Sequence, residues 1–310
     1  MSGNAACAVV SFYRKGGEEM DLLAQLNHAM AYVEANIRDD IRLKTVSSVT
    51  AYSPYHFGRL FYYVAGIPLS EYIRKRKLSL AAMDLQGGDE KVIDLAVKYG
   101  YDSADSFTRA FARQHGLTPS AARQPGVTLK IFPPLTFQIK IEGVQEMNWR
   151  MEEKEAFEVF GLERIFGNDE TGKVPDFWTE CRQNGAYERL YQAADATRGA
   201  DGRHCINAVC GYCEPGEDVF PYMICALKKP KSDTETFRIA QIPKTTWAVF
   251  QSEKTDRIGT EIPVLFRRAY SEWLPSSGYE KAPGPDMEVY YTAEDGRHFE
   301  EVWIPVGRKG

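Results

Sequence analysis

The sequence predicts a multi-domain chain: an all-α first half holding two helix-turn-helix units, then an α+β second half made of two related halves. Three observations carry this. A short pattern occurs twice at an offset of 50 residues, as Phe57-Gly58-Arg59-Leu60-Phe61 with Gly66 and as Phe107-Thr108-Arg109-Ala110-Phe111 with Gly116. Residues 19–123 run helix after helix, punctuated by Gly and Pro. From Asn148 the order becomes strand, helix, two strands, then two strands, helix, two strands.

Length and composition bound the rest. At 310 residues, 44% hydrophobic and 26% charged, the chain is long enough for two cores. No run of 18 apolar residues exists, so no membrane span is expected. Residues 1–18 are expected to form a loose tail: the patch from Ala5 to Val10 lacks the basic region that precedes it in a signal peptide, which makes the cytoplasm the expected location. Six unevenly spaced cysteines give no disulfide framework. Residues 126–310 carry 23 Lys+Arg against 30 Asp+Glu, or −7, of a whole-chain −5, so the second half is the acidic one and attracts cations.

In the first domain, 19–123, Leu22, Leu23, Leu26, Met30 and Val33 give a helical period. Leu43–Ala51 is short and amphipathic, and Ser53-Pro54 supplies an N-cap and a first-turn proline for the helix carrying the first pattern. Gly66 stops it. A long helix from Pro68 to Gln86 carries Arg74-Lys75-Arg76-Lys77, placed to meet phosphate or to pack between units. Val92–Tyr99 is again short, Asp102 or Ser103 caps the helix with the second pattern, and Gly116 ends it. In each pattern the apolar positions at i, i+3 and i+4 share one face, while the Arg lies about 200° round, pointing away from it.

A short helix, a tight turn and a second helix with an outward Arg is the layout that places a recognition helix in the DNA major groove. The open stripes hold Tyr55, Gly58 and Arg59 on one helix, and Asp105, Thr108 and Arg109 on the other, with Ala104 at the start of the second. Arg suits guanine O6/N7, and Thr and Ala suit a thymine methyl. The plainer alternative is two helical hairpins with solvated arginines; duplication of the Gly, Arg and aromatic positions weighs against it.

With these residues in view, 40–123 resembles the DNA-binding domain of the AraC/XylS family of transcription regulators. The matching stretches are Ser53 to Phe61, Gly66 to Ile73, Ile93 to Ala96, Gly100-Tyr101, Ser106 to Phe111 and Gly116 to Ser120. The resemblance implies two helix-turn-helix motifs joined by a long helix and reading adjacent major-groove segments of double-stranded DNA, with RNA polymerase as a further contact. It also implies fewer contacts here, because Gly58 replaces a longer polar residue and Tyr62 and Ala112 replace basic ones. Asp105 repels phosphate unless it accepts from cytosine N4.

Residues 124–147 are expected to be a linker with one strand pattern, Leu135, Phe137, Ile139 and Ile141 alternating with Thr136, Gln138 and Lys140 before Gly143. In the domain 148–310, strands are expected to end at Gly161 and to run over 207–212, 222–227, 237–243, 245–251, 287–292 and 299–306, with helices over 175–193 and 263–274. Asp295-Gly296 reads as a two-residue hairpin turn, so pairs sum to 591. That register puts Glu288, Tyr290, Glu301 and Trp303 on one face. Carboxylates among rings suit an organic cation, the rings giving apolar area and cation–π attraction; solvated glutamates on an exposed face are the alternative.

Residues 148–306 also resemble the GyrI-like effector-binding domain, through Met147 to Arg150, Glu155 to Gly161, Trp247 to Phe250, Glu272 to Tyr279, Glu288 to Tyr290 and Glu301 to Val306. The resemblance implies a pseudo-twofold pair of βαββ-type halves with a ligand groove between them and Glu288 as the central acidic residue. The expected effector site is Glu288, Tyr290, Glu301, Trp303, Trp178 and Tyr222, for a small lipophilic or cationic molecule. Some relatives bind bulky lipophilic cations and a few are hydrolases. The competing function is therefore a hydrolase or drug-sequestering protein using Glu288 as a base in an aromatic pocket.

Cys205, Cys210 and Cys213 have metal-like spacing, but alternation sends Cys210 to the opposite strand face, so no metal is expected. His28, His56 and His115 read as packing or surface residues. Neither a phosphate loop nor a nucleotide fingerprint is present, so no cofactor is expected.

Overall fold

Helix caps set the first half. In the computed structural model, which describes residues 22–138, 146–168, 170–194, 202–213 and 219–309, α1 (Leu22–Ala35) buries Leu22, Leu26, Ala29, Met30 and Val33. α2 (Leu43–Ser47) leads into α3 (Pro54–Ala65), whose N-cap Ser53 accepts from the His56 amide and whose C-cap Gly66 has φ +74°. α4 (Leu69–Gly87) joins this unit to α5 (Val92–Lys98) and α6 (Ala104–His115), and α7 (Pro119–Ala122) closes the second. Ser103 caps α6 by accepting from Ser106 N, and Gly116 at φ +81° ends it. Arg76 is buried and paired with Glu34 at 2.7 Å while donating to the Phe132 carbonyl at 2.6 Å, so this member of the basic run packs between elements.

The expected tail and Gly143 lie outside the described residues, as does the outer end of the predicted 135–141 strand. The described part of that stretch forms neither helix nor strand. Its inward alternation is satisfied by helices instead: Asn27 makes both backbone bonds to Phe137, at 2.8 and 2.9 Å, Tyr72 OH receives Leu135 N, and Phe137 packs edge-on to Phe61.

The second half is one antiparallel sheet. Its strands are β1 (Asn148–Lys154), β2 (Phe157–Gly167), β3 (Ile206–Cys210), β4 (Val219–Leu227), β5 (Arg238–Ile242), β6 (Thr245–Gln251), β7 (Tyr279–Lys281), β8 (Asp286–Thr292) and β9 (His298–Arg308). The order is β1-β6-β9-β8-β3-β4-β2-β5, with β7 paired to the end of β9. α8 (Val174–Gln183) and α9 (Ala186–Ala193) lie between β2 and β3; α10 (Ile262–Arg268), continued by a π-turn, follows β6. The halves are thus β2-α8α9-β3-β4 and β6-α10-β8-β9, each preceded by a strand that pairs in the other: β1 beside β6, β5 beside β2. They meet where β3 pairs β8, Ala208 opposite Glu288.

Two expected boundaries move. The predicted 175–193 helix is two helices, because Gly185 takes φ +77°. β2 does not stop at Gly161 but runs six residues past it. There a Cβ would lie 1.9 Å from the Ile224 carbonyl oxygen, so glycine permits close backbone approach to β4 rather than ending the strand. One apolar core is continuous across both halves of the chain: Leu26, Phe57 and Phe61 join Phe250, Phe266, Trp273 and Ile304.

Candidate functional site

On the helical face of the sheet, β3, β4 and β8 bring Cys210, Tyr222, Asp286 and Glu288 to one cleft, with α8 supplying Trp178 and α10 supplying Phe266. Glu288 is 4% exposed. The hydroxyls of Tyr222 and Tyr290 both donate to its Oε2, at 2.7 and 2.9 Å, and Trp178 Nε1 donates in turn to Tyr222 OH at 2.8 Å. Trp178 stands edge-on to Tyr290, centroids 5.6 Å apart. Burial pushes the Glu288 carboxyl above the usual carboxylate range, against the pull of Arg59 and the two hydroxyls. Four of the six expected effector residues, Glu288, Tyr290, Trp178 and Tyr222, therefore converge.

Glu301 and Trp303 do not join them. The hairpin pairs by a sum of 590, Met287 with Trp303 and Glu288 with Val302, so Glu301 and Trp303 face the other side of the sheet. Ala293 N bonds to Arg297 O and Gly296 has φ +82°, which makes the turn the three residues Glu294-Asp295-Gly296 rather than the expected two. A one-residue slip reverses every side chain. The second carboxylate on the cleft face of β9 is Glu300, which accepts from the amides of Gly259, Glu261 and Ile262 and so caps α10. Glu301 holds Arg150 through both oxygens, at 2.6 and 3.1 Å, and accepts from Tyr291 OH and Trp303 Nε1. Beside it a cavity of about 470 Å³ is lined by Met287, Val289, Trp303, Phe157 and Arg203.

The two expected DNA-facing stripes differ. On α6, Asp105 and Arg109 are exposed and Ala104 and Thr108 half-buried. On α3, Arg59 does point away from its own helical core, but it is 3% exposed because the effector cleft covers it. Its Nη1 donates to Cys210 Sγ at 2.7 Å and its Nη2 to Tyr63 OH at 2.9 Å; Nε is 4.0 Å from Asp286 Oδ2, and the guanidinium lies 4.7 Å from the Phe266 ring centroid. Tyr63 stacks on Phe266 at 4.6 Å, Tyr55 packs on Phe220 at 5.7 Å, and Gly58 is buried with Asn168 Cβ 3.7 Å from where its own Cβ would stand. The expectation of an open first stripe is corrected on this point: helical periodicity shows which face leaves the local core, not what meets it.

Two residues outside the expected site belong to the cleft. Asp286 is buried between Arg59 and Lys281, the latter 3.2 Å away. Cys210 is a neutral thiol, its pKa pushed up to about 12 by burial. Cys210 carried a signal as one of three spaced cysteines, but one pointing to a metal. His56, expected to be a packing residue, donates from Nε2 to the Gly284 carbonyl at 3.3 Å, and burial lowers its pKa to about 3.

A family model described as integron-associated effector binding protein matches residues 150–306, and one described as a helix-turn-helix domain matches 46–125. The transcriptional regulator Rob of Salmonella typhimurium is 32% identical over 280 residues, 89% of this chain and 93% of that protein. The HTH-type transcriptional activator AarP of Providencia stuartii is 35% identical over 98 residues, 32% of this chain and 73% of that protein. Among solved structures, SAV2435 bound to tetraphenylphosphonium aligns at TM-score 0.42 and 16% identity, over 52% of this chain and 94% of that one. With both domain types matched and one relative similar along nearly its whole length, the chain belongs to the AraC-type DNA-binding transcription regulators that carry a GyrI-like effector-binding domain.

Proposed function

We propose that the effector is a small lipophilic organic cation, bound in the cleft with Glu288 as its countercharge. One observation carries this: a buried carboxylate is oriented by two tyrosine hydroxyls, walled by Trp178, Tyr222, Tyr290 and Phe266, and already has a ring-flanked cation, Arg59, beside it. Removing a carboxylate from water costs several kcal/mol unless a cation faces it, and rings add cation–π attraction once the site is dry. On the DNA side, Ala104, Asp105, Thr108 and Arg109 of α6 are the proposed groove-facing residues, joined by Tyr55, Gly58 and Arg59 of α3 only when α3 leaves the cleft that covers them here, with RNA polymerase a further partner in the cytoplasm. No helix among the described residues is long and apolar enough to cross a membrane.

The raised pKa of Glu288 also favours a second function, a hydrolase in which this carboxyl acts as general base. Calorimetry with tetraphenylphosphonium on the wild type and Glu288→Gln tests the first: binding to the wild type that weakens about tenfold or more in the variant supports it. No binding to the wild type sinks it. Turnover of an activated ester that vanishes in Glu288→Gln would favour the hydrolase.

A further inference from the structure

We propose that α3 is a built-in occupant of the effector cleft, so that a lipophilic cation and the first DNA-reading helix compete for one site; this rests on the cleft being a cation site. Tyr55, Arg59 and Tyr63 are spaced i, i+4 and i+8, one stripe of a helix. That stripe presents a guanidinium between aromatic rings, 5.8 Å from the Tyr55 centroid, 5.2 Å from Tyr63 and 4.7 Å from Phe266. It has the chemistry of a lipophilic cation. The matching Arg109 of α6 is exposed, so the same pattern lies in opposite environments in the two units.

While α3 is docked, its stripe cannot enter a major groove. Gly58 and Arg59 are buried, and the Tyr55 ring lies within 2.2 Å of where a Cβ on Gly211 would stand. The docking is imperfectly satisfied. Arg59 Nη1 meets a neutral thiol, a weak acceptor, and among the described residues Arg59 Nε and Asn168 Nδ2 are buried without a hydrogen-bond partner. A mobile cation pairing with Glu288 releases Arg59 to water or phosphate, where all its donors are met. A ligand shifts this balance only by its preference for the undocked form, and the coupling is reciprocal: DNA held by α3 raises the affinity for the cation.

The Cβ separation of 3.7 Å between positions 58 and 168 falls in the range a disulfide spans, so Gly58→Cys with Asn168→Cys traps the docked form. The nearest atom to a Cβ at position 58 is Leu43 Cδ2, at 3.1 Å, the end of a flexible side chain that can move. In the oxidised full chain, peptide mapping is expected to find the 58–168 bond. The locked protein is expected to lose about tenfold or more in affinity for a duplex selected from a random pool by the same protein reduced, and tetraphenylphosphonium is expected to slow the locking. Arg59→Ala is expected to bind tetraphenylphosphonium about tenfold tighter than wild type, its competitor gone. The proposal is overturned if no bond forms, if locked and reduced proteins bind DNA equally, or if bound tetraphenylphosphonium leaves locking and Arg59→Ala affinity unchanged. If tetraphenylphosphonium binds neither wild type nor Arg59→Ala, the cation site is wrong and competition fails with it. The locked protein then still shows whether the cleft masks α3.

Discussion

Glu288 shows how little a residue's type says before its surroundings are known. Its neighbours Glu300 and Glu301 are equally buried, yet one caps a helix, one is neutralised by Arg150, and only Glu288 faces a cleft with hydroxyls and rings around it. Because its pKa is raised, cation affinity is expected to fall as pH drops, starting above the ordinary carboxylate value of 4.5, and to lose that slope in Glu288→Gln; titration calorimetry across pH 4 to 8 measures it. The sign for folding is the reverse. A carboxyl with a raised folded pKa contributes stability below its unfolded pKa and loses it as pH rises through the folded value. Gly161 is a second residue set by its surroundings. Gly161→Ala forces β2 and β4 apart and is expected to lower stability by about 1–3 kcal/mol or more, read as a fall in denaturation midpoint.

Among the elements, the recognition helices carry the clearest sequence signals. Ser53 and Pro54, then Gly66, begin and end α3, and Ser103 and Gly116 do the same for α6. Ser103→Ala is expected to cost about 1 kcal/mol through loss of the cap, measured by chemical denaturation. Arg109→Ala on the exposed α6 stripe is expected to cost about 1–3 kcal/mol at a specific DNA site, in titrations at fixed salt. The β8–β9 hairpin was less legible. Asp295-Gly296 marks a turn, but either a two- or a three-residue loop accepts Gly at φ +82°, and the difference decides which face every residue of two strands takes. Of the six expected residues the structure therefore brings Glu288, Tyr290, Trp178 and Tyr222 together and leaves Glu301 and Trp303 on the opposite face of the sheet.

At the scale of the whole molecule, the two helix-turn-helix units are unequal. The first shares its core with the effector half: Phe57 and Phe61 lie in one cluster with Phe250 and Phe266, whereas Phe107 and Phe111 of the second lie in a separate cluster with Leu78, Leu85, Leu95 and Tyr99. Acid bears on that shared seam. His56 faces Ser53 from its own element, and Gly284, Lys281, Asp286 and Arg59 around it; its pKa is lowered to about 3. Stability from its neutral form is present above its unfolded value of 6.5 and is lost as pH falls from there toward 3. His56→Gln is expected to flatten the acid side of the thermal-stability profile, measured by melting between pH 7 and 4.

By itself the sequence determined the helical units, their caps, the duplication, and most of the strand and helix order of the second half, but not β1, β7 or the break between α8 and α9. These are local: periodicity, N-caps and stop glycines act within a few residues. Tertiary structure alone decided that β1 and β5 exchange halves, that the hairpin register separates Glu288 from Glu301, and that the cleft around Glu288 is filled by Arg59. Each depends on contacts between residues far apart in the chain, such as Arg59 with Cys210 and Asp286, and no local pattern encodes which distant surface will cover an outward side chain.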